Sequence, residues 1–174
     1  MSSPSVSTSP WQPLPPGSIR LLELEGTQAY TDPHRGILEA AVVCKLLTVS
    51  RAELGFEDIQ YGALSYVWGS TRGKRPLICN GHHQAITANL YDALWQFVSM
   101  RQPDAKLPRY LWVDAVCINQ SDEAEKSSQV AQMGDIYRNA SKVIVWLGTC
   151  SAIAGNHFED FWDKMRLRYL LQKD

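Results

Sequence analysis

The chain has 174 residues, of which 45% are apolar and 20% are charged. A chain of this length typically forms one domain, and its apolar share excludes a wholly disordered protein. The formal net charge of −1 gives no basic excess for generic binding to nucleic acid or to an acidic membrane, so we expect no nucleic-acid partner.

The first part of the chain predicts a polar lead-in followed by two strands. Residues 1–17 are rich in serine and proline and are predicted to be unstructured before one domain over 18–174. Residues 18–24 and 40–49 are rich in leucine and β-branched residues, which is typical of strands. Residues 26–36 contain proline and glycine and are predicted to form the loop between them.

A third strand and a hairpin are predicted next. Residues 61–68 alternate small, aromatic and apolar side chains and end at a glycine, and residues 69–76 form a flexible basic loop. Residues 77–79 and 82–86 flank an Asn-Gly pair, which supplies the positive φ angles of a two-residue hairpin turn.

Helical periodicity begins after the hairpin. Thr87 is placed to cap a helix whose apolar stripe is Leu90, Leu94, Phe97 and Val98. Residues 111–118 are nearly all apolar, which predicts a strand covered on both faces of a parallel sheet.

The remaining segments continue the alternation. A helix is predicted from Ser121 to Asn139, then a buried strand over 142–147 and a C-terminal helix over 156–170. This order predicts an α/β fold with a mainly parallel sheet and flanking helices. Ligands of such sheets bind outside the carboxyl ends of the strands, which here are 68–70, 117–120 and 148–149.

Residues at these strand ends are the candidates for function. Asp114 interrupts an apolar segment, so it is either a structural carboxylate that accepts backbone N–H groups or a functional acid. Asn119 and Gln120 either cap the next helix or bind a polar ligand. Trp68 is either a core residue or a stacking wall for a planar ligand. The candidate ligand-binding residues are Ser65, Tyr66, Trp68, Gly69, Asn119 and Gln120.

The cysteines and the termini indicate the compartment. The four cysteines lie too far apart in sequence to form a zinc site, and we predict no metal site. Cys117, near a predicted strand end, is either a small buried core residue or a nucleophile paired with His157 or His34. The N-terminus has no signal-peptide pattern, and no apolar run is long enough to span a membrane. We therefore expect a cytoplasmic protein with reduced thiols.

Three long motifs in order resemble the fungal heterokaryon-incompatibility (HET) domain, with core motifs over 61–148. They are YGALSYVWG at 61–69, ITANLYDAL at 86–94 and LWVDAVCINQ at 111–120, followed by VWLG at 145–148. Two positions depart from the family pattern, which commonly has an acid at Ser70 and an arginine at Lys126.

The resemblance implies a role in fungal non-self recognition, an innate-immunity function in which incompatible cells undergo programmed cell death. It also implies a flavodoxin-like or TIR-like fold that signals through protein interaction. The implied partners are a second copy of the chain or other fungal incompatibility proteins.

The TIR likeness implies a second possibility. Some TIR domains cleave NAD, which makes NAD a possible substrate and the protein a possible NAD nucleosidase, although no complete catalytic template is present. The implied acid is Glu159, with Asp114 as the alternative. A truncated, inactive family member is the third possibility.

Overall fold

The computed structural model describes residues 9–50, 53, 59–101 and 107–148. The strands are β1 Ser18–Thr31, β2 Leu38–Ser50, β3 Tyr61–Tyr66, β4 Arg75–Cys79, β5 His82–Ile86, β6 Tyr110–Trp112 and β7 Lys142–Trp146. The helices are α1 Ala88–Ser99, α2 Asp114–Cys117, α3 Glu123–Ala131 and α4 Met133–Asn139. Within these ranges every helix is too short or too polar to span a bilayer.

The strands form one seven-stranded mixed sheet in the order β5-β4-β2-β1-β6-β3-β7. β3 runs parallel to both of its neighbours, β6 and β7, and β2 runs parallel to β4. The pairs β1–β2, β1–β6 and β4–β5 are antiparallel. The α/β class is confirmed, and the sheet is mixed, with three parallel and three antiparallel pairs among the described residues; two of the antiparallel pairs join consecutive strands through short turns. The flavodoxin-like or TIR-like fold stays a prediction.

The first two strands extend well beyond their predicted ends. Most of the predicted loop 26–36 belongs to β1, and the turn occupies 32–37 instead. Pairing continues to Thr31 opposite Leu38, after a register shift between Leu24 and Gly26. Gly26 has a φ of +148°, so a bulge absorbs the irregularity and the ladder resumes beyond it.

The predicted strand over 111–118 is correct only for its first two residues. β6 ends at Trp112, and the chain then turns into α2, where the Cys117 N–H donates to the Val113 carbonyl at 2.7 Å. A continuous apolar run suits a buried helical turn as well as a buried strand, so its composition cannot separate them. The predicted second helix is also divided, into α3 and α4, at Gln132.

The core consists of buried apolar side chains of the sheet together with those of α1, α2 and α4. Leu90, Leu94 and Phe97 of the predicted stripe are buried, and the Thr87 hydroxyl caps the helix by accepting from the Leu90 N–H at 3.4 Å. The described part of the lead-in also contacts the domain. The Trp11 indole donates to the Val116 carbonyl at 2.8 Å, which places residues near Trp11 against α2.

Candidate functional site

The carboxyl ends of three parallel strands lie side by side, as the sequence predicts. Ala63 of β3 is in register with Trp112 of β6, and Tyr66 is in register with Trp146 of β7. Residues that follow β3, β6 and β7 therefore meet at one margin of the sheet, which we call the carboxyl edge. The predicted convergence of these strand ends is confirmed.

Trp68 and Asp114 are joined at the carboxyl edge. The indole Nε1–H of Trp68 donates to Oδ2 of Asp114 at 2.9 Å, and the Ala115 N–H donates to Oδ1 at 2.7 Å. The Trp68 side chain remains 46% exposed, whereas Asp114 is half-buried. The carboxylate therefore orients the indole while nearly half of Trp68 stays exposed to solvent.

Two tyrosines lie near this carboxylate. Burial raises the pKa of the Tyr66 phenol, and Asp114 raises it further through its charge and a hydrogen bond. Burial also raises the pKa of Tyr137 to about 12, with a smaller contribution from the Asp114 charge. The Tyr137 hydroxyl donates to the Leu64 carbonyl at 3.0 Å. Both phenols consequently stay protonated at neutral pH and serve as hydrogen-bond donors.

Asn89 is a member of the carboxyl edge that the sequence analysis missed. Its Nδ2 donates to the Val67 carbonyl at 2.5 Å, and its Oδ1 accepts from the Trp146 indole at 2.9 Å. The Asn89 side chain therefore ties the segment after β3 to the end of β7. The available signal was an asparagine at the second position of the predicted helix, two residues after the Thr87 cap.

Gly69 lies directly beside Asn89. A Cβ at Gly69 would lie 3.6 Å from the Asn89 Cβ, and the Gly69 φ of +71° is one that other residues rarely adopt. The structure thus gives this predicted ligand-binding residue a backbone role, which is to turn the chain after Trp68.

The other predicted binding residues occupy different surroundings. Ser65 is half-buried in β3 opposite Val145. Gln120 Nε2 donates to the Asp114 carbonyl at 2.9 Å, which places Gln120 next to the carboxyl edge. Asn119 Oδ1 accepts from the Ser121 N–H at 3.2 Å. The N-cap of α3 is Asp122, so neither amide caps that helix. Ligand binding by these residues stays a prediction.

Several candidates fall elsewhere. Glu159 and the predicted C-terminal helix lie outside the described residues. Cys117 is buried, and this burial raises the pKa of its thiol to about 12, which makes it a poor nucleophile. Among the described residues, no group of three His, Cys, Asp or Glu side chains is arranged to hold a metal ion.

Comparison with known proteins identifies the family. The family model for heterokaryon incompatibility protein (HET) matches residues 61–170. The chain belongs to the HET family. It is also 35% identical over 142 residues to heterokaryon incompatibility protein 6, OR allele, of Neurospora crassa, an alignment that covers 77% of this chain and 19% of that protein. The chain thus spans about a fifth of the length of this curated relative. No solved structure matches the chain.

The three motifs of this HET domain meet at the carboxyl edge. The first motif supplies Trp68, the second supplies Asn89 and the third supplies Asp114. Trp68 bonds to Asp114, and Asn89 bonds to the backbone of Val67, which precedes Trp68. The motifs are thus joined by side-chain hydrogen bonds and not only by their strands.

A second cluster in the HET domain joins β1 to α3. Arg20 is buried and forms a two-point ion pair with Glu125. The neighbouring Lys126, where the family commonly has arginine, lies at the surface 3.5 Å from Glu123. The guanidinium that pairs with Glu125 therefore belongs to Arg20 of β1, and residue 126 does not supply it. No local sequence pattern predicts this pair, because its members are 105 residues apart.

Proposed function

We propose that this HET domain acts in the cytoplasm as a fungal non-self recognition domain that promotes regulated cell death through self-association or binding to other incompatibility proteins. Membership of the HET family and the similarity to a heterokaryon incompatibility protein support this proposal. The observation that carries it is the carboxyl edge, where three family motifs fix one aromatic side chain in an open position.

The chemistry of this edge favours binding over catalysis. Both carboxylate oxygens of Asp114 already accept hydrogen bonds, one from Ala115 and one from Trp68. The Asp114 side chain thus holds the indole rather than presenting a free acid. Val67, next to Trp68 in the chain, is 74% exposed, so two apolar side chains are open to solvent here. A half-exposed indole held by a hydrogen bond is a common anchor of protein interfaces.

The test is expression of the chain in a fungal host with cell death as the readout. We expect Trp68→Ala to abolish death, since it removes the exposed ring. Trp95→Ala is the matched control, because Trp95 is 37% exposed on α1 and stacks on Tyr91, away from the carboxyl edge. Death with the Trp68→Ala chain at the parental level would contradict the proposal.

Two further measurements complete this test. Melting curves of both variants must show folded protein, because Trp68 also bonds to Asp114. Sedimentation of the purified chain over a range of concentrations measures self-association. A chain that stays monomeric and captures no fungal incompatibility protein would leave the proposed signalling route without a mechanism.

A second candidate is a TIR-like NAD-cleaving hydrolase, and one observation favours it. Trp68 is 46% exposed, and an exposed indole is a side chain on which a nicotinamide or adenine ring can stack. A cavity of about 150 Å³ lined by Phe97, Arg101 and Leu111 lies at the other end of α1 from Asn89 and does not add to this site.

The NAD candidate is tested by incubating the chain with NAD and measuring released nicotinamide. Release that is lost in Glu159→Ala would support the hydrolase and assign Glu159 as its acid. Release that is lost in Asp114→Asn, whose amide oxygen can still accept from the Trp68 indole, would assign Asp114 instead. No release from the associated protein would remove this candidate. A chain with neither NAD cleavage nor cell death would fit a truncated, inactive family member.

A further inference from the structure

β7 carries an apolar strip on the margin of the sheet. Its side chains alternate, so that Ile144 and Trp146 are buried while Val143, Val145 and Leu147 are 38%, 47% and 66% exposed. We call these three exposed side chains the β7 strip. β7 is the last strand in the sheet order, so the strip lies at an outer margin among the described residues.

The strip lies on the same face of the sheet as α4. Val143 is in register with Ala63, and Val145 is in register with Ser65, so these side chains share one face with Tyr61. The Tyr61 hydroxyl donates to the Ile136 carbonyl of α4 at 2.6 Å, which identifies the face. Trp146 points to the other face, where it bonds to Asn89 of α1.

We infer that residues 149–170 of this same chain cover the β7 strip. The described chain stops at residue 148, immediately after the strip, and residues 149–174 follow. Phe158, Phe161, Trp162 and Met165 recur at helical spacing and form an apolar stripe. The family match runs from residue 61 to residue 170, so it includes this segment together with β7.

The β7 strip and the apolar stripe of the C-terminal segment agree in length and in chemistry. A helix over 156–170 would be about 22 Å long, and β7, with five residues, is about 17 Å long. The residues between 148 and 156 are enough to reverse the chain direction and lay the stripe along the strand. An apolar strip on a sheet margin that is left uncovered invites association, and covering it with a helix is a common solution.

A double-mutant cycle in the full chain tests this inference, with Val145→Ala, Trp162→Ala and both together. If the segment covers the strip, each single change raises the equilibrium constant for unfolding. The increase in the double variant is then smaller than the product of the two single increases, by a factor of about 3 or more. The cycle is repeated with Val145→Thr in place of Val145→Ala, because threonine keeps the β-branched shape of valine and disturbs the strand less. Leu38→Ala is the control for Val145, because Leu38 is 70% exposed on β2, four positions away in the sheet, and should show no coupling to Trp162.

The cycle is run beside sedimentation at each protein concentration. Coupling in a monomer supports the inference. An increase in the double variant equal to the product of the two single increases would mean that Val145 and Trp162 are not coupled, and it would overturn the inference. Coupling that appears only in a dimer and disappears on dilution would also overturn it, because the occupant of the strip would then be a second copy.

Discussion

Arg20 in β1 and Glu125 in the first turn of α3 form a two-point ion pair, with Nη1–Oε1 and Nη2–Oε2 distances of 2.5 and 2.9 Å. Their side chains are only 2% and 9% exposed. Arg20 also donates to the Cys117 carbonyl at 3.1 Å, and Glu125 accepts from the Asn119 N–H at 2.8 Å. The pair therefore attaches the segment between α2 and α3 to the centre of the sheet.

Replacing Glu125 with glutamine should strongly destabilise the fold. The change leaves the buried Arg20 charge without a counter-charge, which typically lowers the free energy of unfolding by about 3–5 kcal/mol. Urea denaturation measures this difference. Glu123→Gln is the control, because Glu123 is 80% exposed in its ion pair with Lys126 and should change stability by less than about 1 kcal/mol. Equal effects of the two substitutions would show that burial of the pair has no energetic consequence.

Asn89→Asp should loosen the carboxyl edge. The new carboxylate still accepts from Trp146, but it replaces the Nδ2 donor with an acceptor facing the Val67 carbonyl. We expect a loss of about 1–3 kcal/mol in the free energy of unfolding, measured by chemical denaturation. Gln96→Ala, on the same helix, should change it by less than about 0.5 kcal/mol. An Asn89→Asp protein as stable as the parent would contradict the bridging role.

Two glycine-to-alanine substitutions should change the free energy of unfolding in opposite directions. A Cβ at Gly62 would lie 2.7 Å from Pro108 Cγ and 3.0 Å from Ile144 Cδ1, so Gly62→Ala should lower the free energy of unfolding by about 1–3 kcal/mol. A Cβ at Gly134 in α4 would meet nothing within 4 Å. Gly134→Ala should therefore raise stability by about 0.5–1 kcal/mol through helix propensity. Thermal melts of the two variants provide the comparison, and a stabilising Gly62→Ala would refute the packing of β3 against Pro108.

The buried thiol of Cys117 should make stability fall at alkaline pH. Burial raises the pKa of this thiol to about 12 in the folded protein, from an ordinary value of 9.0. Below pH 9 the thiol is protonated in both the folded and the unfolded protein, so it gives the free energy of unfolding no pH dependence. Above it only the unfolded chain releases the proton, so the free energy of unfolding falls by about 1.4 kcal/mol per pH unit until the folded pKa is reached.

Denaturation between about pH 9 and pH 11 tests this linkage. Cys117→Ala should be less stable at neutral pH, because it opens a small cavity, but its stability should fall less steeply with pH. The comparison of slopes separates Cys117 from tyrosines that titrate in the same range. Identical slopes for the two proteins would show that this thiol is not protected from ionisation by the fold.

Local pattern was sufficient for several elements. The Asn-Gly pair predicts the β4–β5 turn, where Asn80 and Gly81 have φ values of +50° and +78°. The stripe on α1 and its Thr87 cap follow from residues within four positions of one another. Such features depend on steric and hydrogen-bonding preferences between near neighbours, which the sequence contains in full.

Other elements could not be predicted from local pattern. The apolar run after Tyr110 contains no period that separates strand from helix, and the turn at Val113 depends on what packs around it. The extension of β1 to Thr31 depends on pairing with β2, because the outer residues are too polar to predict a strand alone.

The sequence by itself determined the α/β class, the three apolar strands whose ends converge, and the motifs that mark the HET family. Only the tertiary structure decided which side chains complete the carboxyl edge and which ion pair joins β1 to α3. Asn89 and Trp146 are 57 residues apart, and Arg20 and Glu125 are 105 residues apart. Contacts over such separations depend on how the strands are ordered in the sheet, and no local preference of the chain encodes that order.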